Sequence, residues 1–346
     1  MFKPTRNKPV INLALQGGGA HGAFTWGVLD ALLEADCCRF EGLSGTSAGA
    51  MNAVAVAQGL AEGGRDGARD LLRRFWERVG NSMSSDLFAP LPTAADTAVP
   101  TGLQMALQVT RWFSPYQLNP LDYNPLRAII ESLFDFELIR RASPVKLFIA
   151  ATHANSGWLR LFDNHDLSAD ALLASACLPH LQQAIKIDGE DYWDGGFAAN
   201  PAVFPLIRYC QSRDIMLVLL APLLHGETPR TAEEIQQRAL NLGFNSAFLR
   251  EMRLFALLQD MARESGPLRG KLERRLLDTR FHLIEAQDLV AELDGSSRAL
   301  AHAPFLQWLF EAGRQRASVW LAQHGQALGQ AGTLDIKAMF FEGGVQ

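Results

Sequence analysis

Gly45-Thr46-Ser47-Ala48-Gly49 is the stretch on which the fold turns. It fits G-x-S-x-G, the strand-to-helix turn that lifts a serine hydroxyl above a sheet. Glycines two residues either side of Ser47 have a steric purpose. The serine sits in a strained conformation, and side chains at Gly45 and Gly49 would collide with neighbouring backbone. The flanks agree: Phe40-Glu41-Gly42-Leu43-Ser44 reads as a strand, and Ala48 to Ala61, with Met51, Val54 and Val56, reads as a helix. The hydroxyl then lies at a helix N-terminus, where free N–H groups and the dipole stabilise developing negative charge. A bare G-x-S-x-G also arises by chance, so the role of Ser47 depends on what the rest of the chain places beside it.

Outward from that turn, strands and helices alternate. Val10 to Gln16 is an apolar strand, Gly17-Gly18-Gly19-Ala20-His21-Gly22 a glycine loop, and Ala23 to Ala35 a helix with Trp26, Leu29, Leu32 and Leu33 at core spacing. Asp66 to Val79 is helical. Strands are predicted at Val145–Thr152, Trp158–Asp163, Ala184–Ile187, Asp191–Trp193 and Ile215–Ala221, with helices at Pro125–Phe134, Ser168–Ala176 and Phe204–Ser212. This order implies an α/β fold, a central sheet between helical layers. Beyond Pro222 the chain is mostly helical: Ala232–Glu264, Arg269–Leu277 and Pro304–Leu328, with a last strand at Arg280–Glu285. Residues 8–222 therefore read as a catalytic core and 223–346 as a mainly helical extension packed on it. Residues 81–124 change character, rich in Pro, Ser and Thr yet carrying Trp112, Phe113 and Tyr116, with a short helix expected over Leu103–Trp112. A stretch this long is either a lid over a cleft or an insertion packed on the core.

Composition narrows the class. The 346 residues are 48% hydrophobic and 20% charged, ordinary for a globular enzyme. The net charge of −5 argues against nucleic acid as a partner. Cys37, Cys38, Cys177 and Cys210 form no C-x-x-C pair and read as free thiols in a reducing compartment. The apolar run from Val10 is too short for a secretory signal, and no stretch approaches the roughly 20 apolar residues of a membrane-spanning helix. The expectation is a cytoplasmic protein, peripheral at membranes if its substrate is there. A homo-oligomer is left open. The basic residues from Arg263 to Arg280 could meet anionic headgroups, but interleaved Glu264, Glu273 and Asp278 favour a solvated helix face.

Gly17, Gly19 and Gly22 also satisfy G-x-G-x-x-G, the dinucleotide fingerprint. That use wants an acidic residue at the end of the next strand, where the serine turn stands instead. The other use of consecutive glycines is an oxyanion hole, in which backbone N–H groups converge on a developing anion. Ser47 also needs a base. The late histidines His225, His282, His302 and His324 lack a distinctive setting, and His153 and His165 are no better. Asp194, after Tyr192-Trp193 and before two glycines, is better placed, although Asp-Gly turns are common.

Together these pieces resemble the patatin-like phospholipase family. Gly17-Gly18-Gly19-Ala20-His21-Gly22 resembles its oxyanion loop, Gly45-Thr46-Ser47-Ala48-Gly49 its nucleophile elbow, and Asp194-Gly195-Gly196 its D-G-[GA] element. Ser175-Ala176-Cys177-Leu178-Pro179 is also similar. The resemblance covers about residues 10–210 and implies a three-layer α/β/α sandwich with a mainly parallel sheet. It implies a Ser47–Asp194 dyad without histidine, metal or cofactor, an oxyanion hole at Gly17, Gly18 and Gly19, and loop and turn support from His21, Gly22, Gly45, Gly49, Gly195 and Gly196. It further implies hydrolysis of acyl esters in lipids, with a lipid or membrane surface as partner. Other uses of such a site are a small-ester or thioester hydrolase, or a pseudoenzyme that binds lipid or nucleotide. His21 departs from the Arg or Lys often found at that loop position, so a fixed positive charge there is lost and activity would respond to pH.

Overall fold

The structure is a computed structural model that describes residues 8–82, 102–103, 108–110, 112–224, 226–265, 269–293 and 295–342. Eight strands form one sheet: β1 (Val10–Leu15), β2 (Arg39–Thr46), β3 (Lys146–His153), β4 (Leu159–Phe162), β5 (Ile185–Ile187), β6 (Glu190–Asp194), β7 (Asp214–Leu219) and β8 (Arg280–Glu285). Their order is β5-β6-β3-β2-β1-β7-β8, with β4 also paired to β3. From β3 to β8 neighbours run parallel, while β4, β5 and β6 are antiparallel additions. The central strands VINLAL and DIMLVL are covered on both faces, so they are apolar throughout rather than alternating.

The helices are α1 (Gly22–Ala35), α2 (Ala48–Ser82), α3 (Pro115–Leu118), α4 (Pro125–Leu133), α5 (Phe136–Ala142), α6 (Ala169–Ser175), α7 (Phe204–Tyr209), α8 (Ala232–Glu264), α9 (Lys271–Asp278), α10 (Gln287–Ala291) and α11 (Ala303–His324). Two hydrophobic clusters lie on opposite faces of the sheet. One gathers α1, α2 and α11 through Phe24, Leu29, Val54, Leu72, Phe75 and Leu309. The other gathers α7 and α8 through Leu206, Ile207, Phe248 and Met252. The result is the expected three-layer α/β/α sandwich.

Element boundaries differ modestly from the sequence expectation. The two helices read at 48–61 and 66–79 run on as α2, broken only where Gly63 and Gly64 leave helical geometry. Helix α5 was not foreseen, although Asp135 caps it through the Leu138 N–H. The helix expected over Leu103–Trp112 lies largely outside the described residues, as does most of the 81–124 stretch. Residues after 222 add the edge strand β8 beside β7 and lay α11 across α1. Gly27 and Gly313 let those two helices touch backbone to backbone, and a Cβ on either would overlap the partner's main chain. Asp30 of α1, nearly buried, receives Arg69 of α2 and Arg314 of α11 in the same clamp. The basic run at 263–280 is partly structural: Arg275 donates to the carbonyls of Ile207, Cys210, Gln211 and Ser212, and Arg280 pairs with Asp214.

β1 is the switch point of the sheet. The chain leaves β1 to build β2 on one side, while β7 occupies the other. A crevice therefore opens beyond the C-terminal ends of these strands, where open α/β sheets bind ligands. The loop after β1 is Gly17–Gly19, and the turn after β2 carries Ser47.

Candidate active site

Ser47 occupies the left-handed region, with φ of 54°. That strain is held by close packing. A Cβ on Gly45 would lie 2.5 Å from the Gly49 carbonyl oxygen, and one on Gly49 would overlap the Leu15 carbonyl. The Ser47 N–H donates to Ser175 Oγ at 2.9 Å, so the last residue of α6 pins the turn.

Sheet register carries Asp194 to the same place. Thr46 pairs with Ala150 across β2 and β3, and Ala151 pairs with Asp194 across β3 and β6. Two strand spacings, about 10 Å, thus separate the backbones of residues 148 positions apart in sequence, within reach of two inward side chains. The Asp194 N–H donates to the Cys177 carbonyl at 2.7 Å, and Thr152 Oγ1 donates to the Asp194 carbonyl at 2.8 Å. Its carboxylate accepts the Gly196 N–H at 2.7 Å and has the Ser47 side chain close enough to lower its pKa. At 1% exposure it has almost no water to stabilise its charge. Burial therefore pushes its pKa up to about 7, against the smaller opposing effects of the Gly196 N–H and the Ser47 side chain. Gly195 fits beneath the Ala150 carbonyl, where a Cβ would overlap it, and Gly196 lies against Phe244.

The glycine loop closes the other side. Gly17 packs so tightly that a Cβ would fall 2.7 Å from the Thr46 carbonyl oxygen and 2.9 Å from Ser47 Cβ. Its N–H does not face the cleft as a free donor, however. It donates to Asn200 Oδ1 at 2.7 Å, which corrects the expectation that all three glycine amides serve an oxyanion. Gly18 and Gly19 line the cleft beside Ser47, Gly19 with φ of 59°. Gln16 anchors the base of the loop, its Oε1 accepting the N–H groups of Leu220 and Ala221 at 2.6 and 2.8 Å. Gly22 lies against Ala48 and Trp76, its carbonyl accepting from Asn52 Nδ2 at 2.9 Å.

His21 does not bring charge to the cleft. It is buried, its Nε2 hydrogen-bonds Ser297 Oγ at 2.8 Å, and its Nδ1 has no hydrogen-bond partner. Burial first, and then nearby Arg298, push its pKa down to about 3. It stays neutral at ordinary pH, which corrects the expectation of a pH response from this side chain. Two other histidines weighed as bases are engaged elsewhere. His282 is bonded to Asp214 and Thr333, and His153 to Glu190 and Ser156, while His225 falls outside the described residues. His180, which lines the cleft, was not singled out from sequence.

The cleft holds about 420 Å³. Met51, Phe75, Trp76, Val79, Leu126 and Leu181 line it with apolar surface, while the C-terminal region contributes Leu240 and Phe244 together with the polar Gln237, Asn241, Asn245 and Arg298. Sequence reasoning also missed Asn200, Gln16 and Arg298. Ser175 had a signal, since it opens the Ser175–Pro179 motif; Gln16 adjoins the glycine loop but is part of no motif quoted above, and Asn200 and Arg298 are distant in sequence from the loop and the serine turn.

A serine turn between a parallel strand and a helix, with a buried carboxylate beside it, is an arrangement that α/β acyl hydrolases use. More narrowly, the chain belongs to the patatin-like phospholipase family, whose model matches residues 13–207. Among solved structures, VipD from Legionella pneumophila is similar at 16% identity and a TM-score of 0.44, over 92% of this chain and 67% of that one. No curated protein matches. Among the described residues no helix is long and apolar enough to cross a membrane.

Proposed function

We propose that the protein hydrolyses fatty-acyl esters of phospholipids, as a phospholipase A or lysophospholipase, with Ser47 as nucleophile and Asp194 as general base. The observation that carries this is the buried Asp194 carboxylate close to the Ser47 side chain, its pKa pushed up to about 7 by burial. A base with a pKa near the working pH is both available and strong enough to take a proton from an alcohol in the transition state.

Ser47 Oγ attacks the ester carbonyl carbon as its proton passes to Asp194. The carbonyl electron pair becomes an oxyanion, held by the amides of Gly18 and Gly19 rather than by Gly17, whose N–H is engaged. Collapse breaks the ester C–O bond, and the leaving alcohol takes the proton from Asp194. Water then attacks the acyl-enzyme, gives its proton to Asp194, and releases the fatty acid with Ser47 restored.

Exposed Trp112, Leu121 and Tyr123 give the end of the 81–124 stretch an apolar surface. Gln183 Nε2 donates to the Asn119 carbonyl and ties that surface to the residues after the cleft-lining His180–Gln182. This supports a rim that meets aggregated lipid. The test is fluorophosphonate labelling and lipid hydrolysis by wild type, Ser47→Ala and Asp194→Asn. Labelling that persists in Ser47→Ala refutes the nucleophile. Equal rates on vesicle lipid and on a short soluble ester refute the lipid preference.

A further inference from the structure

Arg298 stands apart from everything the proposed chemistry uses. It lies in the C-terminal region, beyond the stretch matched by the family, yet it borders the same cleft as Ser47. Its main chain packs on the glycine loop, its carbonyl meeting the space a Cβ on Gly19 would need. The preceding residue, Ser297, holds His21, so this short turn is fastened to the loop at two points. The guanidinium Nη1 donates to Asn241 Oδ1 of α8 at 2.6 Å. An amide can orient a guanidinium but cannot neutralise it, and among the described residues Asn241 is its one side-chain acceptor, which leaves most of the fork's donors for another.

Charge on the cleft wall is sparse. Of the side chains lining it, Arg298 and Asp194 are the ones with ordinary formal charge, and they carry opposite signs. His21, where the loop could have supplied a cation, is neutral. Burial lowers the Arg298 pKa from its ordinary value, the mark of a cation short of solvent. Arg298 also lies where the cleft meets a second cavity of about 570 Å³, which it borders together with Gln237, Asn241 and Gly295. That second space mixes the charged Glu227, Arg230, Glu234 and Arg238 with apolar Val290 and Leu293. Acyl chain and polar head thus have adjoining compartments, with Ser47 in the first and Arg298 at the junction.

We propose that Arg298 binds the phosphate of an acyl phospholipid or lysophospholipid, so that the acyl chain lies along Met51, Phe75 and Trp76 and the headgroup projects into the second cavity. The inference rests on the lipid-hydrolase reading for its biological meaning, but its geometry is independent of turnover. A planar guanidinium held by Asn241 presents paired N–H donors, the match for two phosphate oxygens. The phosphate of a glycerophospholipid is separated from the ester carbonyl only by the glycerol carbons and their oxygens. This fits a phosphate site that abuts the oxyanion loop. Neutral acylglycerols would gain nothing from it.

The experiment measures binding by calorimetry, below micelle formation, of dodecylphosphocholine and of neutral 1-O-dodecylglycerol. Neither ligand has a carboxylic ester, so the measurement stands whether or not the protein is an acyl hydrolase. Wild type is compared with Arg298→Gln, which keeps polarity without charge, Arg298→Ala and Arg298→Lys, each checked for an unchanged melting transition. Loss of one charge-assisted phosphate contact should weaken dodecylphosphocholine roughly 10- to 100-fold, leave dodecylglycerol within about twofold, and be partly restored by lysine. Equal weakening of both ligands, or of neither, in a folded Arg298→Gln protein overturns the proposal. Absent esterase activity in a wild type that still shows the selective loss would instead overturn the hydrolase reading and leave the phosphate site standing.

Discussion

Replacing Asp194 with asparagine should remove activity and, at alkaline pH, stabilise the fold. The isosteric amide can still accept the Gly196 N–H and face Ser47, so the local packing survives while the buried charge does not. The carboxyl titrates near 3.8 in its ordinary state and near 7 in the folded protein. Its folded pKa is raised, so the stability it contributes is fully present below the unfolded pKa and is lost as pH rises through the folded one. At 1.36 kcal/mol per pH unit, keeping Asp194 ionised at pH 8.5 costs the folded state about 4 kcal/mol, of which about 3 accrues above pH 5. The asparagine carries no such dependence. The stability difference between variant and wild type should therefore widen by about 3 kcal/mol from pH 5 to pH 8.5, read as a melting-temperature gap that opens with pH. Other titrating groups are common to both proteins and cancel. In wild type, kcat/KM should climb through one ionisation near 7, because only the carboxylate can accept the serine proton. A melting gap that does not change with pH, together with a flat kcat/KM profile from pH 5 to 9, would refute the buried-base account.

Three further changes probe the supports. Gly17→Ala forces a methyl against Thr46 and Ser47 and should cut fluorophosphonate labelling about 100-fold, the order seen when an oxyanion donor is lost, because the whole loop must shift; labelling near the wild-type rate would show that the loop yields freely. Ser175→Ala leaves the Ser47 N–H without its acceptor and should lower stability by about 1–3 kcal/mol and slow labelling, checked by denaturant melts beside labelling kinetics; an unaffected melt would mean another group takes over that N–H. Gly313→Val drives a branched side chain into the α1 main chain and should destabilise by about 3 kcal/mol or more while a residual folded fraction keeps its kcat, measured by active-site titration; a fall in kcat per titrated site would tie α11 to the chemistry rather than to the packing.

The turn that holds Ser47 was legible because its demands are local. A serine forced into φ of 54° needs glycine at 45 and 49, and that need is written as G-x-S-x-G. A carboxylate at a strand end before a packed turn leaves Asp194-Gly195-Gly196. What held these pieces in place was not local and left no such trace. Asn200 takes the Gly17 N–H from 183 residues away, and Ser175 takes that of Ser47 from 128 away. Any short polar side chain reads alike until the fold shows what it faces. His21 shows the opposite failure: its position in the loop promised a titrating charge, but burial removed the water that would support one.

The division of the cleft comes from the sheet's topology. At a switch point the crevice is bounded by the loops that leave the strands on both sides of β1, and the two sides come from different parts of the chain. The β2 and β3 side delivers Ser47 and, through antiparallel β6, Asp194, all within the family's matched region. The β7 side leads into residues past 222, which return as α8 and the turn carrying Arg298. Bond cleavage needs fixed geometry about one carbonyl, so the first side admits little variation in its glycines. Substrate selection needs only a wall of suitable charge and width. The second side can supply it with any helix and turn that still cover β7 and β8, so the serine turn can be read from a motif while the wall opposite must be read from the pocket.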